Sequence, residues 1–255
     1  MIKAAVFGVP RSGTTWLGEI MNSHPELTYR YQPLFSYEFK SALSEDSTYS
    51  EIETFYERIQ DASSEFVLRD SDFHKSDRPK GILFKEVRYL HLIPLLLRAG
   101  VRIVFIRRNP VDVINSWCQA PREFDPSWDI GEEWLDAEKK NQGKIEEFYG
   151  MIGWLRAQEI LASISPDLRG LLHVLEYEDL REKPEEMVSN VFDFLGLKFQ
   201  AQSMAFLKET TTTHRDGVYD VHRTMPAVRV LPEEVTAMIL ARNEVQNYMK
   251  TRTGG

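Results

Sequence analysis

Apolar residues along the chain fall into short runs that alternate with longer stretches of mixed polarity. Residues 103–106 are all apolar, as expected for a parallel strand that is covered on both faces. The other runs have the length and the apolar composition of strands. The pattern predicts five strands: Ile2–Phe7, a weaker one at Leu27–Tyr31, residues 81–84, Arg102–Arg107 and residues 171–175.

Amphipathic stretches between these runs predict helices. Asn109 followed by Pro110 is typical of a helix start, and Gly196 is typical of a helix end. The predicted helices are Thr14–Asn22, residues 94–98, one from the Asn109 cap through residue 117, Pro184–Leu195 and a last one opened by Pro232. Because strands and helices alternate, we expect an α/β fold: a single domain of residues 1–255 with a mainly parallel central sheet flanked by helices.

Two segments have a weaker pattern. Residues 39–80 show no strand pattern, although residues 49–59 fit an amphipathic helix, and we expect this region to pass over the functional site. Residues 122–136 are strongly acidic and contain Trp128 and Trp134. This second segment is either a solvated surface with aromatic anchors or a cover that binds the substrate.

Composition narrows the class of protein. The chain has 255 residues, 42% of them hydrophobic, and a net charge of −8, which argues against broad electrostatic binding to nucleic acid or anionic membranes. No apolar run reaches the roughly 20 residues needed to cross a bilayer, and the first strand at residue 2 leaves no room for a signal peptide. The single cysteine, Cys118, favours a reducing cytoplasm.

The loop after the first strand, residues 8–15, reads Gly-Val-Pro-Arg-Ser-Gly-Thr-Thr. Backbone amides and a helix N-terminus converge at such a loop and favour an anion. The spacing of Gly8 and Gly13 fits the nucleotide-binding loop of P-loop proteins, but Thr14 stands where that loop has Lys. The cation is Arg11 instead. We therefore predict a phosphate site that is not built for the β/γ-phosphates of ATP or GTP.

A second predicted strand is also followed by an arginine and the start of a helix. Arg108 follows the strand Arg102–Arg107, and Ser116 lies two turns into the next helix. Taken singly, these are a surface arginine that could pair with Asp112 and an ordinary helix serine. Beside a phosphate loop in a parallel sheet, they indicate a second phosphate on the same ligand.

These motifs resemble those of sulfotransferases, which use 3′-phosphoadenosine 5′-phosphosulfate (PAPS). Residues 10–16 resemble the family's 5′-phosphosulfate loop, and Arg108 with Ser116 resembles its 3′-phosphate motif. Residues 177–180, with Pro184 and residues 194–196, are similar to a third block. The resemblance runs from about residue 6 to residue 217 and is closest to bacterial and carbohydrate-acting members. It implies a fold like that of P-loop nucleotide hydrolases.

The resemblance also implies roles for donor binding. Arg11 would bind the bridging oxygen and stabilise charge on the leaving phosphate. Trp16 and Tyr177 match residues near the adenine, although both could equally belong to the core. In the phosphate loop, the remaining implied donor-binding residues are Ser12, Gly13, Thr14 and Thr15. In a late loop they are Arg215 and Gly217, although Asp216 replaces the family's lysine between them. Arg223 and Arg229 are lesser candidates in the same late loop.

The general base is expected after the strand at residues 81–84. Aryl-acting members carry a histidine there, but the family spacing counted back from Arg108 reaches Glu86. Because sugar-acting members often use a glutamate, Glu86 is the predicted base and His91 is the alternative. Glu86 could instead form a structural ion pair with Lys85, Arg88 or Arg11.

The implied activity is direct in-line transfer of the sulfuryl group to an acceptor hydroxyl of a sugar, lipid or small natural product. The other product is adenosine 3′,5′-bisphosphate, and no metal is required. Two alternatives stay open: a P-loop kinase or other nucleotide-binding protein, and a non-catalytic nucleotide-sensing member of the fold. The sequence does not indicate the acceptor or the oligomeric state.

Overall fold

Five parallel strands form the central sheet of the protein. The computed structural model describes residues 1–69, 73–212 and 230–253. The strand order is β2-β3-β1-β4-β5, and every pairing is parallel. The strands are β1 (Ile2–Phe7), β2 (Leu27–Tyr31), β3 (Gly81–Glu86), β4 (Arg102–Arg107) and β5 (Leu172–Glu176). The predicted α/β architecture with a parallel sheet is confirmed.

Helices connect successive strands. Up to residue 141 the chain contains α1 (Thr14–Asn22), α2 (Tyr49–Gln60), α3 (Glu65–Leu68), α4 (Ile93–Arg98), α5 (Pro110–Cys118), α6 (Ile130–Glu133) and α7 (Glu138–Asn141). After residue 141 come α8 (Gly150–Ser163), α9 (Tyr177–Glu182), α10 (Pro184–Leu195), α11 (Ala201–Thr212), α12 (Glu233–Leu240) and α13 (Asn243–Thr253). Short 3₁₀ helices span Pro33–Phe35, Leu90–Leu92 and Pro166–Leu171.

The two faces of the sheet are buried in two separate hydrophobic clusters. Successive strand residues point to opposite faces, so Phe7 and Phe84 belong to one cluster and Val6 and Leu83 to the other. The first cluster includes buried residues of α2, α4, α5 and α8, and the second includes those of α1 and α10. Helices therefore cover both faces, as predicted.

Helix α2 of the segment 39–80 does not lie over the site, whereas the passage of the rest of this segment over the site stays a prediction. This helix packs against the middle of the sheet, where the Tyr56 hydroxyl donates to the Ala4 carbonyl at 3.0 Å. Ile52, Phe55 and Ile59 are also buried in the first cluster. The amphipathic pattern of α2 serves burial of its apolar face, because this face of the sheet needs a cover.

The two tryptophans of the acidic segment are anchors. Trp134 is buried in the first cluster, and Trp128 packs against a third cluster that contains Trp117, Phe124 and Tyr149. The acidic side chains around them are mostly exposed, except that Glu133 is buried and Glu123 is partly buried. No helix within the described ranges is long and apolar enough to span a membrane.

Candidate active site

The phosphate loop lies at the carboxyl end of β1, in the middle of the sheet. Phe7, the last residue of β1, pairs with Glu86 of β3 on one side and with Phe105 of β4 on the other. A Cβ at Gly8 would lie 2.6 Å from the Ile106 carbonyl oxygen, so only glycine allows the loop to leave this close to β4. The loop is therefore flanked by the ends of both neighbouring strands.

The conformation of the loop directs backbone amides towards one point. Gly13, the N-cap of α1, has φ 92°, and a Cβ there would lie 2.4 Å from the Tyr177 ring. Gly13 offers no side chain to cap the first amides of α1, which leaves them available to an anion. The Ser12 hydroxyl is buried and has no hydrogen-bond partner among the described residues. These features suit a bound phosphate.

The structure joins the two predicted anion sites into one. Arg108 Nη1 donates to the carbonyl oxygen of Arg11 at 3.1 Å, and Arg11 Nε donates to Ser116 Oγ at 3.2 Å. Arg108 Nε is buried without a hydrogen-bond partner in the described part of the chain. Direct hydrogen bonds thus connect the loop that precedes α1 with Arg108 and Ser116 of the second motif.

Trp16 and Tyr177 pack beneath the loop. The Trp16 indole is buried and its Nε1 donates to Thr210 Oγ1 at 3.1 Å, while its ring meets Tyr177 edge-on at 6.3 Å. The Arg108 guanidinium lies 4.4 Å from the centre of the Tyr177 ring. Tyr177 therefore packs against the loop and Arg108, and Trp16 packs against Tyr177, while the contact of both rings with the adenine stays a prediction.

Glu86 is the last residue of β3 and is fully buried. Its Oε1 accepts the Leu34 amide at 2.9 Å, and its Oε2 has no partner among the residues described. Burial disfavours the charged carboxylate and raises the pKa of Glu86, and the charges of Lys85 and Arg88 offset part of this effect. A desolvated carboxylate at the end of the strand beside the phosphate loop is a stronger base than one in water.

Lys85 points to the opposite face of β3. Its Nζ lies 4.7 Å from the centre of the Tyr31 ring, and burial lowers the pKa of this lysine. Arg88 donates through Nε to Glu147 Oε1 at 2.7 Å. Lys85 and Arg88 thus act on Glu86 through their charges, while their own direct contacts are with Tyr31 and Glu147.

His91, the alternative base, lies in the 3₁₀ turn Leu90–Leu92 and is half-buried. Burial lowers the pKa of His91, and the charged groups that act on it are Glu45, Arg156 and Glu146. None of these belongs to the phosphate loop. Glu86, by contrast, pairs directly with the residue that precedes the loop.

Glu123 is a site residue that the sequence analysis did not single out. Its Oε1 lies 3.6 Å from Arg11 Nη1, so a carboxylate of the acidic segment reaches the phosphate loop. Nothing in the local sequence distinguishes Glu123 from its acidic neighbours.

The predicted Arg215 and Gly217, with Arg223 and Arg229, lie outside the described residues. Within the described ranges, no group of three or more His, Cys, Asp or Glu side chains is arranged to hold a metal ion.

Comparison with known proteins identifies the family. Residues 2–229 match the model of the sulfotransferase domain family. The chain belongs to the sulfotransferase domain family. This finding confirms the resemblance carried by the loop at residues 10–16, and it places the protein among the sulfotransferase enzymes. No curated protein matches this sulfotransferase.

Solved structures share the fold at low sequence identity. The mouse sulfotransferase SULT7A1 complexed with PAP is 14% identical over 99% of this sulfotransferase and 88% of that chain, with a TM-score of 0.56. Retinol dehydratase in complex with androsterone and inactive cofactor PAP is 16% identical over 98% and 80%, with a TM-score of 0.52. The sulfotransferase domain of the Synechococcus PCC 7002 olefin synthase is 15% identical over 98% and 94%, with a TM-score of 0.50.

Proposed function

We propose that this sulfotransferase moves the sulfuryl group of PAPS to a hydroxyl of a sugar, lipid or small natural product. The observation that carries the proposal is the meeting of the two anion motifs, in which Arg108 donates to the Arg11 carbonyl and Arg11 donates to Ser116. A donor with phosphates at both ends of one nucleoside needs two such motifs in one site. The structural neighbours SULT7A1 and retinol dehydratase, each complexed with PAP, support this choice of nucleotide.

The residues present fit the donor. The uncapped amides of α1 and the buried Ser12 hydroxyl suit the 5′-phosphosulfate, with Thr14 and Thr15 at the first two positions of the helix. Arg108 has an unsatisfied buried Nε for the 3′-phosphate, counted among the described residues. Arg11 is permanently charged and would stabilise the negative charge that develops on the leaving phosphate.

Glu86 is our proposed general base. Its Oε2 would receive the proton of the acceptor hydroxyl while the new O–S bond forms and the S–O bond to the 5′-phosphate breaks. Adenosine 3′,5′-bisphosphate is released with the electron pair of the broken bond. Positioning of acceptor and donor at the ends of β3 and β1 would supply most of the rate enhancement, as it does in phosphoryl transfer.

The test of nucleotide identity is calorimetric. We expect wild-type protein to bind adenosine 3′,5′-bisphosphate more tightly than AMP, which lacks only the 3′-phosphate. In Arg108→Ala this preference should shrink by about 2–3 kcal/mol, because a charge-assisted contact to the 3′-phosphate is lost.

Arg102→Ala is the matched control, since Arg102 lies at the amino end of the same strand β4. It should keep the full preference for the bisphosphate. An Arg108→Ala protein with an unchanged preference would refute the 3′-phosphate assignment. Tight, magnesium-dependent ATP binding without regard to a 3′-phosphate would favour the P-loop kinase alternative instead.

A further inference from the structure

The acidic segment contributes one carboxylate to the phosphate loop, and that carboxylate is already paired with the loop's cation. Glu123 Oε1 lies 3.6 Å from Arg11 Nη1, and the two side chains are 31% and 37% exposed. Arg11 has a positive φ of 72°, so its backbone is held in a conformation that is uncommon for a non-glycine residue. The Arg11 guanidinium extends from this backbone position and has two side-chain partners, Glu123 and Ser116.

Glu123 is held in place by the third hydrophobic cluster. Its amide donates to the Ala120 carbonyl at 2.9 Å, and its carbonyl accepts from the Trp117 indole Nε1 at 3.2 Å. Trp117 in turn packs against Phe124 and Tyr149, with ring centres 5.0 and 5.4 Å away. The backbone of Glu123 is therefore held beside this cluster, and its carboxylate lies between Tyr149 and Arg11.

The Glu123 carboxylate also affects the pKa values of neighbouring side chains. Its carboxylate acts on Lys140, where it opposes the lowering of the lysine pKa by burial, and it also raises the pKa of Tyr149. It also favours the charged form of Lys85. Glu123 is therefore one of the carboxylates that favour the charged forms of these lysines, and Arg11 is the cation that it contacts directly.

We propose that Glu123 competes with the donor nucleotide for Arg11. The inference rests on the proposed function, because it takes the ligand of Arg11 to be the 5′-phosphate end of an adenosine nucleotide. Without nucleotide, the guanidinium is paired with Glu123. When nucleotide binds, Arg11 exchanges this carboxylate for the ligand's negative charge. Glu123 consequently weakens nucleotide binding and favours release of the bisphosphate product.

The experiment measures the affinity of adenosine 3′,5′-bisphosphate for wild type, Glu123→Gln and Glu123→Asp by calorimetry. Glu123→Gln should bind about 2- to 5-fold more tightly, because a half-exposed ion pair no longer has to be broken. Glu123→Asp should fall between the two, since its shorter side chain withdraws the carboxylate from Arg11. Glu132→Gln, an exposed acid of the same segment, should match wild type.

The direction of the change distinguishes competition from a structural role. A damaged fold can only weaken binding, so unchanged or weaker binding by both Glu123→Gln and Glu123→Asp would overturn the proposal. In an Arg11→Gln background, removing the Glu123 charge should give no further gain in affinity, and a persisting gain would also overturn it. If wild type itself fails to bind the bisphosphate, the proposed function fails, which is a different outcome from failure of the Glu123 proposal.

Discussion

Burial sets the protonation of Glu86, the proposed general base. The carboxylate is fully buried and its pKa is raised above that of a carboxyl group in water. The catalytic form of a general base is the deprotonated one. Turnover should therefore rise as the pH increases through this raised pKa, because protonated Glu86 cannot accept the acceptor's proton.

Glu86→Gln tests this role with little change of shape. The Gln oxygen can still accept the Leu34 amide, so bisphosphate binding should be nearly unchanged while kcat falls by about 100-fold or more. The rise of kcat with pH should also disappear. Measurement of kcat against pH for both proteins, with calorimetry of the bisphosphate, checks each part. Near-normal turnover with the wild-type pH profile would remove Glu86 from the mechanism.

At the scale of single residues, the sequence predicts a site residue when its type and its spacing within a motif identify its role. Gly13 is predictable from its spacing with Gly8, and the structure shows why glycine is needed there, since the N-cap has φ 92° and a Cβ would meet the Tyr177 ring. Glu123 could not, because its role depends on a contact with Arg11 across 112 positions of the chain (123 − 11). Trp16 and Tyr177 stayed ambiguous because an aromatic ring beneath a ligand site and one in a core have the same sequence pattern.

At the scale of elements, the start of α5 connects helix stability with the site. Asn109, its N-cap, accepts the Val111 amide through its side chain at 2.9 Å, and its own amide donates to Glu178 Oε1 at 2.9 Å. α5 also carries Ser116, the partner of Arg11. The orientation of this helix therefore affects how the two anion motifs meet.

Asn109→Ala should lower the free energy of unfolding by about 1 kcal/mol, because it removes the capping acceptor. Asn109→Ser restores an acceptor of similar reach and should recover most of this loss. Chemical denaturation of the three proteins provides the measurement. Equal losses in Ala and Ser variants would show that the cap does not stabilise α5.

Helices with typical cap residues were predicted from the sequence, whereas a helix that contains glycines was not. Asn109 marked the start of α5, and Gly196, with φ 75°, marked the end of α10. Helix α8 was missed because it begins with Gly150 and contains Gly153, residues that weaken a helix prediction. Gly153 is needed there because a Cβ would lie 2.4 Å from the Phe148 backbone.

At the scale of the molecule, the parallel sheet followed from apolar runs that are buried on both faces. The sequence did not predict the order of the strands or the packing of α2 against the sheet, since both depend on contacts between distant parts of the chain.

Burial in this fold also includes histidine side chains. His24, His91 and His173 each have a pKa that burial lowers below the ordinary value, so folding should be sensitive to acid.

His24 joins the chain after α1 to the chain after α10. Its Nδ1 accepts the Glu26 amide at 3.1 Å, so the ring proton lies on Nε2, which donates to the Lys198 carbonyl at 3.0 Å. The ring also packs against Phe192, with centres 4.7 Å apart. The neutral ring satisfies both contacts, whereas a proton on Nδ1 would remove the acceptor of the Glu26 amide.

The stability that neutral His24 confers should therefore be complete above the pKa of an unfolded histidine and decline below it. The unfolded chain then binds a proton that the native chain does not, which costs up to about 1.4 kcal/mol per pH unit for each such histidine. His24→Gln can replace only the Nε2 contact, so it should be less stable at neutral pH but lose stability less steeply on acidification. His74→Gln, a change at an exposed side chain, should keep the wild-type slope. Denaturation at several pH values measures these slopes, and a wild-type slope in His24→Gln would mean that other groups carry the acid sensitivity.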